Sequence, residues 1–365
     1  MCDPPLISIV KGFPVECGDM GSSIPDASAL VLVDASAQKP FYSDHMRLIP
    51  HFHWLFLGSE MGDKRDPIVM SCEARSDKGK NERCFLVALR TELGDRRFVL
   101  TGSDPRKVCK DYLQNTFPKV SFKKDVVQVG MDSSAYGPLC NDLAAFEASN
   151  IVTTYKVGVL YWKEGQDENE AFSNGPSATF DRFLGVLGER IALKGWEKFR
   201  GGLNVTDDVT GSESVFTEFQ DLQIMFHVST LLPLHEGDEQ KLERKRHLGN
   251  DIVIVIFKEG TTPFDPTALH TQFNHVFIVV SEVPGSNPLQ YCVEVVTKPD
   301  VPRFEPKLPC PPVFDADDAR FRSWLLLKIV NGERAAMRKA KDFRIKMMNT
   351  RRVYLQRMCD EYGAK

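Results

Sequence analysis

The residues best suited to chemistry lie between positions 237 and 259. The run reads G-D-E-Q-K-L-E-R-K-R-H-L-G-N-D and then I-V-I-V-I-F-K-E. Lys241, Arg244, Lys245, Arg246 and His247 make the densest positive cluster of the chain, and Gly249-Asn250-Asp251 follows at once. Such a cluster can attract an acidic partner surface. The Asn250 carboxamide carries donor and acceptor on one planar group and does not titrate. The same residues also have structural readings. Cations near a helix C-terminus complement its dipole, and Gly followed by Asn and Asp is a common helix stop and turn.

Other chemistries are scarce. His51-Phe52-His53 places two imidazoles on one face of a strand, two-thirds of a zinc site. With no third ligand nearby in sequence, a polar strand face is the simpler reading, and no metal is expected. The chain lacks a G-x-x-x-x-G-K-[ST] phosphate loop and a G-x-G-x-x-G loop, so it is not expected to bind nucleotide on its own. H-E-x-x-H and G-x-S-x-G are absent too.

The elements that must position these residues follow from periodicity. The spacing predicts a charged helix over 238–248, then a buried β-branched strand over 252–257. Around them strands and helices alternate: strands at 153–162, 215–219, 223–228, 275–282 and 289–297, helices at 178–187 and 266–273, and a polar loop at 167–177. That rhythm means an α/β layer with a mixed sheet. Residues 41–150 are β-rich, with strands at 51–57, 67–73, 84–93 and 97–101 and helices at 104–115 and 139–149. Residues 1–40 read as a weakly structured segment. Pro299 to Pro312 reads as an extended connector. The last stretch, 316–365, is helical, with an apolar stripe at helical spacing and a break expected at Asn331-Gly332.

The totals fit two domains. Of 365 residues, 42% are hydrophobic and 26% charged, as in an ordinary globular protein. A formal net charge of −4 argues against nucleic-acid binding. No apolar run approaches the ~20 residues of a membrane span, so at most peripheral membrane recruitment is expected. The start lacks a secretory pattern, and nine unpatterned cysteines suggest reduced thiols in the cytoplasm.

Residues 245–253, K-R-H-L-G-N-D-I-V, closely resemble the signature of the Rap GTPase-activating protein family. Similar to the same family are F-R-G-G-L at 199–203, T-G-S-E-S-V at 210–215, I-M-F-H-V-S-T-L-L-P at 224–233, T-P-F at 262–264 and Q-F-N-H-V-F at 272–277. The resemblance is dense from about 150 to 300 and weaker over 41–150 and 316–360. Leu248 stands where isoleucine is commoner, a volume-conserving change.

The resemblance implies an α/β Rap-GAP catalytic domain over 151–315, with a mixed β-sheet flanked by helices, loosely G-domain-like. A smaller β-rich dimerisation-type domain over 41–150 stands beside it, which admits a homodimer, and C-terminal helices over 316–365 pack on the domains. The implied activity is stimulation of GTP hydrolysis by a GTP-bound Rap-like small GTPase. The partner carries GTP and Mg2+, and this chain binds no cofactor. Asn250 matches the family's asparagine thumb, which supplies a water-orienting carboxamide in trans. His247 matches the histidine of the same motif, as a buttress of the catalytic loop. Arg244, Lys245 and Arg246 match a basic docking face, Lys156 matches a lysine implicated in GTPase binding, and Phe273 is an apolar docking candidate. Gln166 matches a glutamine that ranks below Asn250. A non-catalytic GTPase-binding scaffold using the same surface is the alternative.

Overall fold

The computed structural model describes every residue except 1–4, 19–23, 25–31, 33–38, 59–64, 74–82, 236 and 364–365. The chain divides into two compact units. One comprises Ser36–Val152 and Asp342–Lys365, the other Met1–Ala35 and Thr153–Lys341.

The 36–152 unit is built on five antiparallel strands. They are β1 (His51–Gly58), β2 (Asp66–Glu73), β3 (Arg83–Thr91), β4 (Gly94–Gly102) and β5 (Val126–Val129), in the order β4-β3-β2-β1-β5. Alternation along each strand sends side chains to opposite faces, and both faces are covered. Phe52, Trp54, Phe56, Ile68, Met70, Phe85, Val87 and Leu89 share one core with Cys109 and Leu113 of α1 (Pro105–Thr116). The Asp104 side chain caps α1 by accepting from Arg106 N, with Pro105 in the first turn. A one-turn helix, α2 (Phe122–Asp125), leads into β5. Leu55, Val69 and Ala88 point the other way. They meet Leu139, Cys140, Leu143 and Phe146 of α3 (Tyr136–Ser149), and Leu355 and Met358 of the C-terminal helix.

The 153–341 unit carries an eight-stranded mixed sheet. Its strands are β6 (Thr154–Trp162), β7 (Glu189–Ala192), β8 (Glu213–Phe219), β9 (Leu222–Val228), β10 (Val253–Lys258), β11 (Val276–Glu282), β12 (Gln290–Thr297) and β13 (Val313–Asp315). The order is β13-β12-β11-β10-β6-β9-β8-β7, with β11, β10, β6 and β9 parallel at the centre. The helices are α4 (Glu168–Phe172), α5 (Ala178–Leu187), α6 (Leu242–Gly249) and α7 (Ala319–Lys339). One face of the sheet packs on α5 and α7 through Val157, Val255, Phe257, Phe183 and Trp324. The other packs on α4 and α6 through Leu160, Ile254, Ile256, Phe172 and Leu248.

Several expectations change. The N-terminal segment is tied down where it is described. Leu6 N and Ile7 N donate to the Glu294 carboxylate, Phe264 N donates to Leu6 O, and both side chains are buried. The charged helix begins at Leu242 rather than 238, because Lys241 has φ +55 and breaks helical geometry. The helix expected over 266–273 is a single 3₁₀ turn, Pro266–Ala268. No break occurs at Asn331-Gly332. A Cβ on Gly332 would lie 3.2 Å from Phe304 and Val276 side-chain atoms, so this glycine permits close packing inside a continuous helix. The break falls at Ala340, before α8 (Lys341–Tyr362). The stretch expected as one helical segment is therefore shared, α7 in one unit and α8 from Asp342 onward in the other. The strands β5 and β13, too short for a periodic signal, were not expected. Cys292 is disulfide-bonded, which departs from the expectation of reduced thiols.

Phe257 is stacked 5.1 Å from the Phe183 ring and fully buried on a central strand. Phe257→Ala is expected to lower unfolding free energy by about 3–5 kcal/mol, read from urea unfolding curves.

Candidate functional site

The candidate site is the junction where α6 ends and β10 begins. The helix is held to the unit from below. Leu248 is fully buried. Gly158 on β6 packs beneath it, where a Cβ would sit 3.3 Å from Ile254 and 3.4 Å from Leu248 and from the Asp251 carboxylate. Arg244 is buried as well, and its guanidinium donates to Leu232 O (3.0 Å), Phe172 O (2.8 Å) and Asn174 O (2.9 Å). Arg244 was expected on the docking face. It is a core anchor instead, because its position on the helix turns it inward onto three carbonyls that need donors. Burial alone lowers its pKa.

The other cations of the helix differ from it and from each other. Lys245 reaches Glu168 (3.1 Å) and Asn169 (2.6 Å) in the first turn of α4. Arg246 is 61% exposed and pairs with Glu243 one turn back. Phe273, expected near a helix end, sits on the irregular segment after the 3₁₀ turn and is 37% exposed. Gln166 is absorbed by its own loop. It accepts from Lys163 N and Asn174 Nδ2 and donates to Asn174 Oδ1.

Asn250 is exposed and forms the C-cap of α6. Its Nδ2 donates to Arg246 O at 2.8 Å, which satisfies one of the helix's last carbonyls. The backbone beneath it is fixed carbonyl by carbonyl. Leu248 O accepts from Asn274 Nδ2 (2.9 Å), Gly249 O from Thr271 Oγ1 (2.8 Å) and Asn250 O from Lys156 Nζ (3.0 Å). Asp251 O accepts from the same Asn274 amide. Four consecutive carbonyls thus meet side chains from β6 and from residues 271–274.

Under the loop lies a polar cluster. The Asp251 side chain is fully buried, with Oδ2 2.7 Å from His227 Nδ1 and Oδ1 3.2 Å from Lys156 Nζ. His227 Nε2 lies 3.0 Å from Gly201 O. The His247 ring stands 5.1 Å from the His227 ring, and its Nε2 is buried without a hydrogen-bond partner among the described residues. Burial, then His227 and Arg246, lower the His247 pKa to about 4. On α7, part of the Glu333 side chain is accessible but its Oε2 is sealed. Burial, then Asp251, push that carboxyl up to about 8.

The structure therefore brings Asn250, His247 and Lys156 to one locus and removes Arg244 from the surface. Gly201, His227, Asp251, Thr271 and Asn274 complete the locus. Asp251 was named with Asn250 in the sequence, whereas residue types alone did not single out the other four, although Gly201, His227 and Asn274 lie in the segments that carry the family resemblance.

The unit is a mixed α/β layer that presents an exposed carboxamide on a braced helix–strand junction. Residues 171–352 match the Rap/ran-GAP family model, and the chain belongs to that family. It is 29% identical to RapA guanosine triphosphatase-activating protein 1 of Dictyostelium discoideum, over 100% of this chain and 39% of that protein. It is 38% identical to human GTPase-activating Rap/Ran-GAP domain-like protein 3, over 66% of this chain and 25% of that one. It is 42% identical to mouse signal-induced proliferation-associated 1-like protein 1, over 56% and 12%. The chain thus spans well under half of each of these relatives. A solved structure of the TSC2 GAP domain aligns with 50% of this chain and 97% of that one, at 29% identity and a TM-score of 0.45.

Two predictions follow from the bracing and the buried groups. Asn274→Ala leaves Leu248 O and Asp251 O without their donor and is expected to cost about 1–3 kcal/mol in urea unfolding. The pH dependence has two opposed parts. The depressed His247 pKa gives stability that is present above its unfolded 6.5 and lost as pH falls toward about 4. The raised Glu333 pKa gives stability that is present below its unfolded 4.5 and lost as pH rises through about 8. Unfolding midpoints measured across pH should accordingly flatten between 6.5 and about 4 in His247→Gln and between 4.5 and about 8 in Glu333→Gln.

Proposed function

We propose that this chain stimulates GTP hydrolysis by a Rap-like small GTPase in its GTP-bound form, in the cytoplasm, with Asn250 as the catalytic group supplied in trans. The observation that carries this reading is the exposed Asn250 carboxamide on a loop whose carbonyls at 248–251 are each held by a side chain. Phosphoryl transfer to water asks mainly for positioning of the water and stabilisation of charge. The partner brings GTP and Mg2+. This chain contributes a donor and an acceptor at one planar group, set where the attacking water must lie. Positioning of that kind fails with displacements on the order of 1 Å, which gives the bracing its purpose.

The neighbours take supporting roles. Lys156 is a positioning residue that sets the Asn250 carbonyl and neutralises Asp251. His247, neutral near pH 7, is a buttress and not a proton shuttle. Arg246 and Lys245 meet an acidic surface of the GTPase, and Phe273 adds an apolar contact beside them. Contacts of this kind raise the association rate and weaken with salt. The capping bond from Asn250 Nδ2 to Arg246 O favours a second reading, in which the asparagine is structural and the chain only binds a GTPase. Giving up one such exposed bond costs about 0.5–1.5 kcal/mol, so the cap does not prevent the amide from turning to the water.

Single-turnover hydrolysis on a panel of purified GTP-loaded small GTPases tests the proposal. The expected result is acceleration of a Rap-like member by several orders of magnitude, abolished in Asn250→Ala with an unchanged unfolding midpoint. Binding without acceleration would establish the scaffold reading. Arg246→Ala and Lys245→Ala should raise the half-saturating concentration and reduce its salt dependence while leaving the saturated rate in place.

A further inference from the structure

The histidine pair of β1 has a third partner that the sequence did not reveal. His51 and His53 point to the α3 side of their sheet, with ring centroids 4.7 Å apart. From α3, Cys140 directs its thiol between them. Its Sγ lies 3.8 Å from His51 Nε2 and 3.5 Å from His53 Nε2. All three residues are buried, and their ligand atoms lie within 4.8 Å of one another. The Tyr42 hydroxyl stands on the same spot, 3.0 Å from His51 Nε2 and 3.5 Å from His53 Nε2.

The outer contacts set which ring atoms face inward. His51 Nδ1 lies 2.6 Å from Ile49 O, an acceptor only, so Nδ1 carries the proton and Nε2 presents a lone pair. His53 Nδ1 lies 2.9 Å from Ser71 Oγ, which also accepts from Arg90 Nη1 at 2.8 Å. Metal-bound histidines are oriented in this way, with the second nitrogen donating to a carbonyl or hydroxyl. The sulfur–nitrogen spacing fits too. Tetrahedral zinc with Zn–S of about 2.3 Å and Zn–N of about 2.0–2.1 Å separates sulfur from nitrogen by about 3.5 Å. The cationic Arg90 is close by, and Glu147 and Asp95 supply opposing charge around it.

We propose that His51, His53 and Cys140 form a buried structural metal site for a zinc-class divalent ion, with the Tyr42 phenol oxygen at the fourth position. Two imidazoles and a thiolate suit a borderline-soft metal rather than magnesium or calcium. The ion would clamp β1 to α3, joining His53 and Cys140 at a sequence separation of 87. Binding releases the thiol proton, and no electron moves. The site lies in the 36–152 unit and is independent of the GTPase-activating reading.

Metal analysis and cobalt substitution of the full chain test this. Purified chain given zinc and then desalted is expected to hold one equivalent. The cobalt-substituted chain is expected to show the intense visible bands of tetrahedral cobalt and a near-ultraviolet thiolate-to-cobalt band. Cys140→Ser should lose the charge-transfer band and bind zinc at least ~100-fold more weakly. Retention of the band in Cys140→Ser would place the thiolate elsewhere and overturn the proposal. Should that variant fail to fold, the unaltered chain still decides. Absence of stoichiometric zinc or of the thiolate band would leave these residues as a hydrogen-bonded Tyr42–His51 and Cys140–His53 network without metal.

Discussion

A carboxylate buried at the end of a helix sets the terms for the whole α6–β10 junction. Asp251 is fully out of solvent, and an isolated ion there would be untenable. It is tolerable because Lys156 and His227 approach from two neighbouring strands of the parallel centre. Those strands are placed by the sheet, so the charge balance depends on strand register. Lys156 then serves twice, since the same ammonium group holds Asn250 O. The conformation of the exposed residue is in this way tied to a fully buried charge of the unit.

The cationic cluster illustrates how a helix separates residues that look alike in sequence. Arg244 and Arg246 are two positions apart and point to different surroundings. One is locked onto three carbonyls in the interior, and the other pairs, among the described residues, with an intrahelical carboxylate. Arginine suits the buried role, because its planar fork can meet several acceptors at fixed angles while remaining charged. In the proposed complex, attraction of an acidic partner surface falls to the cations that stay outside.

The 36–152 unit uses strand alternation to run two cores from one sheet. Phe52, Trp54 and Phe56 fill the α1 side, and His51, His53 and Leu55 fill the α3 side. Burying two imidazoles is costly unless their nitrogens are met. Here Ile49 O, Ser71, Tyr42, Tyr136 and Cys140 surround them. A polar cluster so fully enclosed constrains which helix can lie against that face.

The sequence by itself determined the α/β character, nearly every long strand, and the junction at Gly249-Asn250-Asp251. Hydrophobic periodicity and a glycine at a helix end are local signals, and the K-R-H-L-G-N-D-I-V resemblance is a contiguous one. It could not determine which cation faces inward, because the register of a short helix with little apolar content is set by what it packs against. Lys241 in the left-handed region and the collapse of residues 266–273 to one turn have the same origin, tertiary demands overriding local propensity. The donors that brace the loop, Lys156, Thr271 and Asn274, and the thiol of Cys140 beside His53, come from distant parts of the chain. Only the folded sheet decides such meetings, since spacing along a chain carries no information about which strands and helices become neighbours.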